Sequence, residues 1–156
     1  MIAAVAIVDD RHRMLTVRKR GTSRFMNPGG KLEPGESGLD AAVREIHEEL
    51  GLALDPLELH PLGVWTAPAA NEPGWSVEAD AFWTRLPAGA EPVVQAEIEE
   101  LRWVSLDEIT ELINLAPDGV PGEFAPLLLT HFVPALLAQM RSTSPIPVER
   151  RASMSP

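Results

Sequence analysis

Gly30-Lys31-Leu32-Glu33-Pro34-Gly35-Glu36-Ser37-Gly38-Leu39-Asp40-Ala41-Ala42-Val43-Arg44-Glu45-Ile46-His47-Glu48-Glu49-Leu50-Gly51-Leu52 is the stretch on which the fold turns. It passes from a loop, marked by the turn signal Glu33-Pro34-Gly35, into an amphipathic helix. Leu39, Val43, Ile46 and Leu50 recur at i, i+4, i+7 and i+11, the spacing of one helix face. Gly51 supplies the stop, because glycine reaches the left-handed conformation that ends helices at little cost. The spacing therefore predicts a helix over residues 39–50. Opposite the apolar stripe stand Arg44, Glu45, Glu48 and Glu49. At about 100° per residue the three glutamates fall on one strip of surface, where like charges repel. An isolated E-x-x-E-E is ordinarily a solvated face. Behind a glycine-rich loop, the same crowding is what a hard divalent cation requires, since Mg²⁺ takes one or two carboxylates plus water and substrate phosphate oxygens.

Upstream, the β-branched apolar runs 2–8 and 14–19 predict a hairpin joined by the polar tetrad 9–12. Residues 20–37, which include Pro28-Gly29-Gly30, predict a long ordered loop of the kind that is usually functional inside a compact domain. Downstream, strands are expected over 57–66 and 76–86, separated by the loop 67–74, with a shorter one over 100–104. Ser105 and Glu108 have capping-box spacing at the head of a helix running to about Asn114. Residues 123–140 predict a helix bent or divided at Pro134, where a hydrogen bond is lost and the ring meets the preceding turn. From Arg141 the Ser/Pro-rich tail 141–156 lacks periodicity and reads as disordered, leaving one domain over 1–140.

An apolar fraction of 45% in 156 residues excludes disorder along the whole length and fits a single domain. Lys and Arg number 13 against 23 Asp and Glu, a net charge of −10, which argues against nucleic-acid polymers and anionic membranes as partners. A phosphate-bearing ligand would need a cation as intermediary. The absence of cysteine excludes disulfides, a thiolate nucleophile and cysteine-based metal sites, in keeping with a reducing compartment. The apolar start lacks a basic region and runs into Asp9-Asp10, so it reads as a strand and not a signal peptide. Pro126, His131 and Pro134 interrupt the longest apolar stretch well short of the ~20 residues that span a bilayer. The expectation is a soluble cytoplasmic protein, and no pattern fixes an oligomeric state, a homodimer included.

The quoted stretch resembles the Nudix box, Gly-x5-Glu-x7-Arg-Glu-U-x-Glu-Glu-x-Gly-U with U a bulky aliphatic residue, and matches it at every defined position from Gly30 to Leu52. Chance would produce this on the order of once in ten million chains at average residue usage. The flanking hairpin, the Pro28-Gly29 lead-in and the segment Glu97-Ile98-Glu99-Glu100-Leu101-Arg102-Trp103 are similar to the same family. The resemblance implies an α/β fold, an α/β/α sandwich around a mixed β-sheet. It also implies a hydrolase that uses Mg²⁺ or Mn²⁺ to attack, with water, a phosphorus of a nucleoside diphosphate linked to another group, such as a modified (d)NTP or an ADP-ribose-like compound. By resemblance, the metal ligands are the Gly30 carbonyl, Glu48, Glu49 and Glu97, with Glu100 in reserve. Glu45 is a further ligand or the general base. Arg44, four residues before Glu48, can orient a carboxylate through charge-assisted hydrogen bonds. Glu36 is an outer ligand or an anchor for Arg44, while His47 reads as an ordinary surface histidine.

The partner so implied is a small nucleotide. Arg18-Lys19-Arg20 is the compact basic cluster nearest the box, placing Arg18 and Arg20 as candidate contacts to distal phosphates or as solvated strand-end charges. Phe25 is the candidate for stacking a base, with Trp65, Trp75, Phe82 and Trp83 behind it; for each, core packing is the competing reading. Strand alternation sends Phe82 and Trp83 to opposite faces. A ligand-binding regulator on the same fold is the rival reading, although it would not need the complete box and no added DNA-binding segment is present. An isopentenyl-diphosphate isomerase-like enzyme resembles a cysteine-dependent proton relay, which this chain cannot supply.

Overall fold

Strand β1 (Ile2–Val8) organises the molecule in the computed structural model, which describes residues 1–115 and 122–143. Its small and β-branched residues are buried on both faces, as expected of a central strand. Ala3, Val5 and Ile7 join one core, whereas Ala4, Ala6 and Val8 join the other. On one edge β1 pairs in parallel with β5 (Ser76–Arg85), from Ile2 opposite Ala79 to Val8 opposite Arg85. On the other edge it is shared. Strand β2 (Arg13–Lys19) pairs antiparallel only at Val8–Met14, then diverges to pair with β6 (Ile98–Ser105). The vacated length of β1 takes β3 (Gly29–Lys31), with Ala3 opposite Gly30. Strand β4 (His60–Pro68) closes the far edge against β5. The sheet order is β4-β5-β1-β2-β6, with β3 beside β1.

Helix α1 (Gly38–Leu50) covers one face, burying Ala41, Ala42, Ile46 and Leu50 against Val5, Ile7, Leu15 and Val17. Burying each such aliphatic side chain contributes about 1.5–3 kcal/mol. The helix begins where Ser37 Oγ accepts from Asp40 N at 3.1 Å, and it ends where Gly51 N donates to His47 O at 3.0 Å. Helix α2 (Leu106–Leu115) and helix α3 (Val133–Thr143) cover the opposite face through Leu106, Ile109 and Leu136, joined by Phe124, Leu128 and Phe132. Two helical layers thus enclose a mixed sheet.

The hairpin, α1, α2 and the paired faces of Phe82 and Trp83 follow the sequence reading, and Glu108 N donates to the Ser105 cap at 3.4 Å. Five details differ. The expected loop 20–37 contains β3, which fills the edge of β1 that β2 leaves, with Gly29 packed so closely on Ala3 that a side chain there would strike the Ala3 backbone. Strand β4 starts later than residue 57, since Asp55 Oδ1 accepts from Leu57 N at 2.9 Å and Pro56 favours a one-turn 3₁₀ helix, Pro56–Glu58. Strand β6 begins at Ile98, before the expected residue 100. The helix before Pro134 is not divided: a π-helical turn, Leu128–Phe132, widens the ladder just ahead of the residue that has no N–H to give. Helix α3 also runs to Thr143, past the expected boundary at Arg141; the remainder of the expected tail lies outside the described residues.

Candidate metal centre

Carboxylates from α1 and from the loop before β6 converge beside β3. Side-chain oxygens of Glu45, Glu49 and Glu97 all lie within 4.8 Å of one another. Backbone bonds bring Glu97 there: Val93 N donates to Leu50 O and Gln95 N to Glu49 O, both at 2.9 Å, while Arg20 N donates to Glu97 O at 2.8 Å. The segment before β6 is therefore stitched to the end of α1 and to the end of β2.

Glu49 is 1% exposed, turned under β3 and not toward solvent. Its Oε2 accepts from Gly29 N at 3.2 Å, and its Oε1 has no hydrogen-bond partner among the described residues. Burial pushes this carboxyl up to about 8, with Glu97 and Glu45 adding to the rise and Lys19 and the Gly29 N–H opposing it. A buried acceptor without a donor, among oxygen ligands of like charge, is the environment a divalent cation would complete. The residues present therefore fit such an ion.

Gly30 shapes the same site by lacking a side chain. A Cβ there would stand 2.5 Å from Glu45 Cδ and 2.6 Å from Oε1, so only glycine lets β3 pass this close to the carboxylate.

Arg44 ties the cluster together. Its Nε donates to Glu36 Oε2 at 3.0 Å, Nη2 donates to Glu36 Oε1 and to Lys31 O, each at 3.0 Å, and Nη1 donates to Glu45 Oε1 at 2.9 Å. The Glu36 bonds, then those of Glu45, hold the guanidinium firmly charged. Glu36 thus serves as the anchor of Arg44. Glu48 stays outside the converging group: half-exposed, it accepts from Arg44 Nη1 at 3.4 Å.

The basic triplet is separated by the sheet. Arg18 is committed to Glu99 and Glu100, each at 3.0 Å, which also removes Glu100 from the cluster, and the Arg20 side chain is exposed. Lys19 follows Leu15 and Val17 toward the α1 side and lies 4.0 Å from Glu97. The alternation of β2 carried that signal, because Lys19 shares parity with those apolar residues. Phe25 is a core residue, buried against Phe124 with Arg102 over its ring, so its aromatic face is occupied. Trp65 stacks on His131, Phe82 and Trp83 are buried, and Trp75 is 70% exposed. His47 is exposed, as its sequence reading has it.

A cleft of about 550 Å³ adjoins the cluster, lined among others by Ile2, Lys19, Asn27, Gly30, Val77 and Ala125. The NUDIX domain family matches residues 1–125. The chain belongs to the Nudix family. Among Nudix relatives, the Bacillus subtilis protein named "Putative 8-oxo-dGTP diphosphatase" is 31% identical over 105 residues, covering 66% of this chain and 64% of that protein. The match thus spans less than two-thirds of that relative's length. The phosphatase NudJ of Escherichia coli is 26% identical over 119 residues, 73% of this chain and 74% of that one. A MutT Nudix hydrolase from Burkholderia pseudomallei superposes with a TM-score of 0.58 at 31% identity, covering 68% of this chain and 82% of that one. Among the described residues no helix of this Nudix chain is long and apolar enough to cross a membrane.

Proposed function

We propose that the chain is a Mg²⁺- or Mn²⁺-dependent hydrolase that cleaves the pyrophosphate link of a nucleoside diphosphate joined to another group, a modified (d)NTP or an ADP-ribose-like compound. The observation that carries this reading is the convergence of side-chain oxygens of Glu45, Glu49 and Glu97 within 4.8 Å of one another, with Glu49 buried. Family membership and the names of the relatives support the same class of reaction.

Glu45, Glu49 and Glu97 would hold the ion, which when bound neutralises phosphate oxygens and activates water. Binding would require Glu49 in its ionised form. In the reaction an O–P bond forms from water and the bond from phosphorus to the bridging oxygen breaks, its electron pair leaving with the departing phosphate. The water's proton goes to a carboxylate. Glu48, and Glu45 where it does not serve as a ligand, are the candidates to take it, both bonded to the Arg44 guanidinium. Lys19, on the wall of the cleft and 4.0 Å from Glu97, would supply a positive charge to the phosphates.

Nucleotide turnover with Mg²⁺ and with Mn²⁺ in ¹⁸O-labelled water tests the assignment. Incorporation of ¹⁸O into one phosphate product, lost in Glu49→Gln, is the expected result. The same turnover in Glu49→Gln as in the native chain would overturn it.

A further inference from the structure

Glu97 reaches the carboxylate cluster from the middle of a tight turn. Ile98 N donates to Gln95 O at 3.1 Å, closing a turn whose central residues are Ala96 and Glu97. Ala96 has a φ of +53°, in the left-handed region, and Glu97 does not share it. Among the described residues only His12 and Ala96 combine a side chain with positive φ. At the first central position of a turn with this pattern glycine is the usual occupant, because a Cβ crowds the neighbouring carbonyl oxygen.

Nothing about the Ala96 side chain offsets that crowding. Ala96 is exposed, so its methyl group gains no core contact. The conformation is held by the main chain on both sides. Gln95 N donates to Glu49 O at 2.9 Å, Arg20 N donates to Glu97 O at 2.8 Å, and Ile98, 3% exposed, joins the core under α1 at the start of β6. Two of these anchors belong to the site itself: Glu49 is the buried carboxylate, and Lys19, the neighbour of Arg20, lies 4.0 Å from Glu97 Oε1. Between Gln95, tied to the end of α1, and Ile98, fixed in β6, only two residues are available to reverse the chain. A left-handed first residue makes that reversal and leaves the second one facing the cluster. Backbone strain that its surroundings over-determine is characteristic of functional sites.

We infer that the left-handed backbone of Ala96 positions the Glu97 carboxylate for the divalent ion, which makes Ala96 a positioning residue of the candidate metal centre. This deepens the proposed function and rests on Glu97 being a ligand there. With φ in the ordinary negative region the peptide between residues 96 and 97 turns over, and the Glu97 side chain leaves the direction that brings its oxygen within 4.8 Å of those of Glu45 and Glu49.

The test is Mn²⁺ titration of the metal-stripped chain, followed by electron paramagnetic resonance, with circular dichroism in EDTA to establish that each variant is folded. Ala96→Gly keeps the turn without the crowding, and its Mn²⁺ affinity is expected to stay within about twofold of the native value. Ala96→Pro forces φ to about −65° and is expected to weaken binding about three- to tenfold, the same loss as Glu97→Gln. Ala96→Val disfavours the left-handed region while keeping the N–H, so it weakens binding in the same direction even if the proline variant does not fold. The double variant Ala96→Val with Glu97→Gln is expected to bind no more than about twofold more weakly than Glu97→Gln alone, because the two act through one carboxylate. Native affinity in Ala96→Val and Ala96→Pro, a loss in Ala96→Gly as large as theirs, or losses that multiply in the double variant overturn the inference. Any of these with weakened binding in Glu97→Gln leaves the candidate ion site standing. Native affinity in Glu97→Gln overturns both the inference and the place of Glu97 in that site.

Discussion

The Glu45 carboxylate lies against the backbone of Gly30, so close that a Cβ on residue 30 would fall 2.5 Å from Glu45 Cδ. The contact adds to the Gly29–Glu49 and Lys31–Arg44 bonds that join β3 to α1. Gly30→Ala must therefore displace either β3 or the carboxylate. A displacement on the order of 1 Å at a reacting centre can cost about 100-fold in rate. The expected outcome is a fall in kcat/KM of about that size with the fold retained by circular dichroism.

Arg44 reaches Glu36 through two nitrogens and Glu45 through a third, a fork that a lysine ammonium cannot reproduce. Arg44→Lys is expected to lower activity about 10- to 100-fold, the range typical of partners that orient ligands. Glu36→Gln loses the charge but keeps the shape, and its effect is expected to be smaller. Steady-state kinetics of both variants at saturating metal check the order.

Burial holds the Glu49 proton in the folded, metal-free chain up to about pH 8, whereas the unfolded chain releases it in the ordinary carboxylate range. Between those limits the folded state binds more protons, so this residue makes stability fall as pH rises. In EDTA, Glu49→Gln should flatten that dependence and raise Tm at pH 8 by about 5 °C or more. Thermal unfolding at pH 5 and pH 8 measures it, and equal slopes in both proteins would count against a buried proton.

Phe25 packs in the core on Phe124, away from any open ring face. Phe25→Leu is expected to destabilise by about 1–2 kcal/mol while leaving KM within about twofold. Denaturant melts and initial rates separate those effects.

Periodicity made α1 and the core legible because Ile46 and Leu50 obey the same spacing that buries them. It failed at β3 for a physical reason: Pro28-Gly29-Gly30 carries turn chemistry, and the strand exists because β2 leaves half of one edge of β1 unpaired. The angular arithmetic put Glu45, Glu48 and Glu49 on one strip, yet β3 overlies part of it, so Glu49 is buried while Glu48 stays half-exposed. Arg18 and Lys19 were separable only through the parity of β2, which sets Lys19 with Leu15 and Val17 and Arg18 with the opposite face.

The central claim is that Glu45, Glu49 and Glu97 together hold a divalent ion. Titration of the native chain with Mn²⁺ by electron paramagnetic resonance, repeated on Glu45→Gln, Glu49→Gln and Glu97→Gln, tests it without reference to any substrate. The account predicts saturable binding that weakens about tenfold or more in Glu49→Gln and Glu45→Gln, with a smaller loss in Glu97→Gln. Mn²⁺ binding to Glu49→Gln and Glu45→Gln as tight as to the native chain would contradict it.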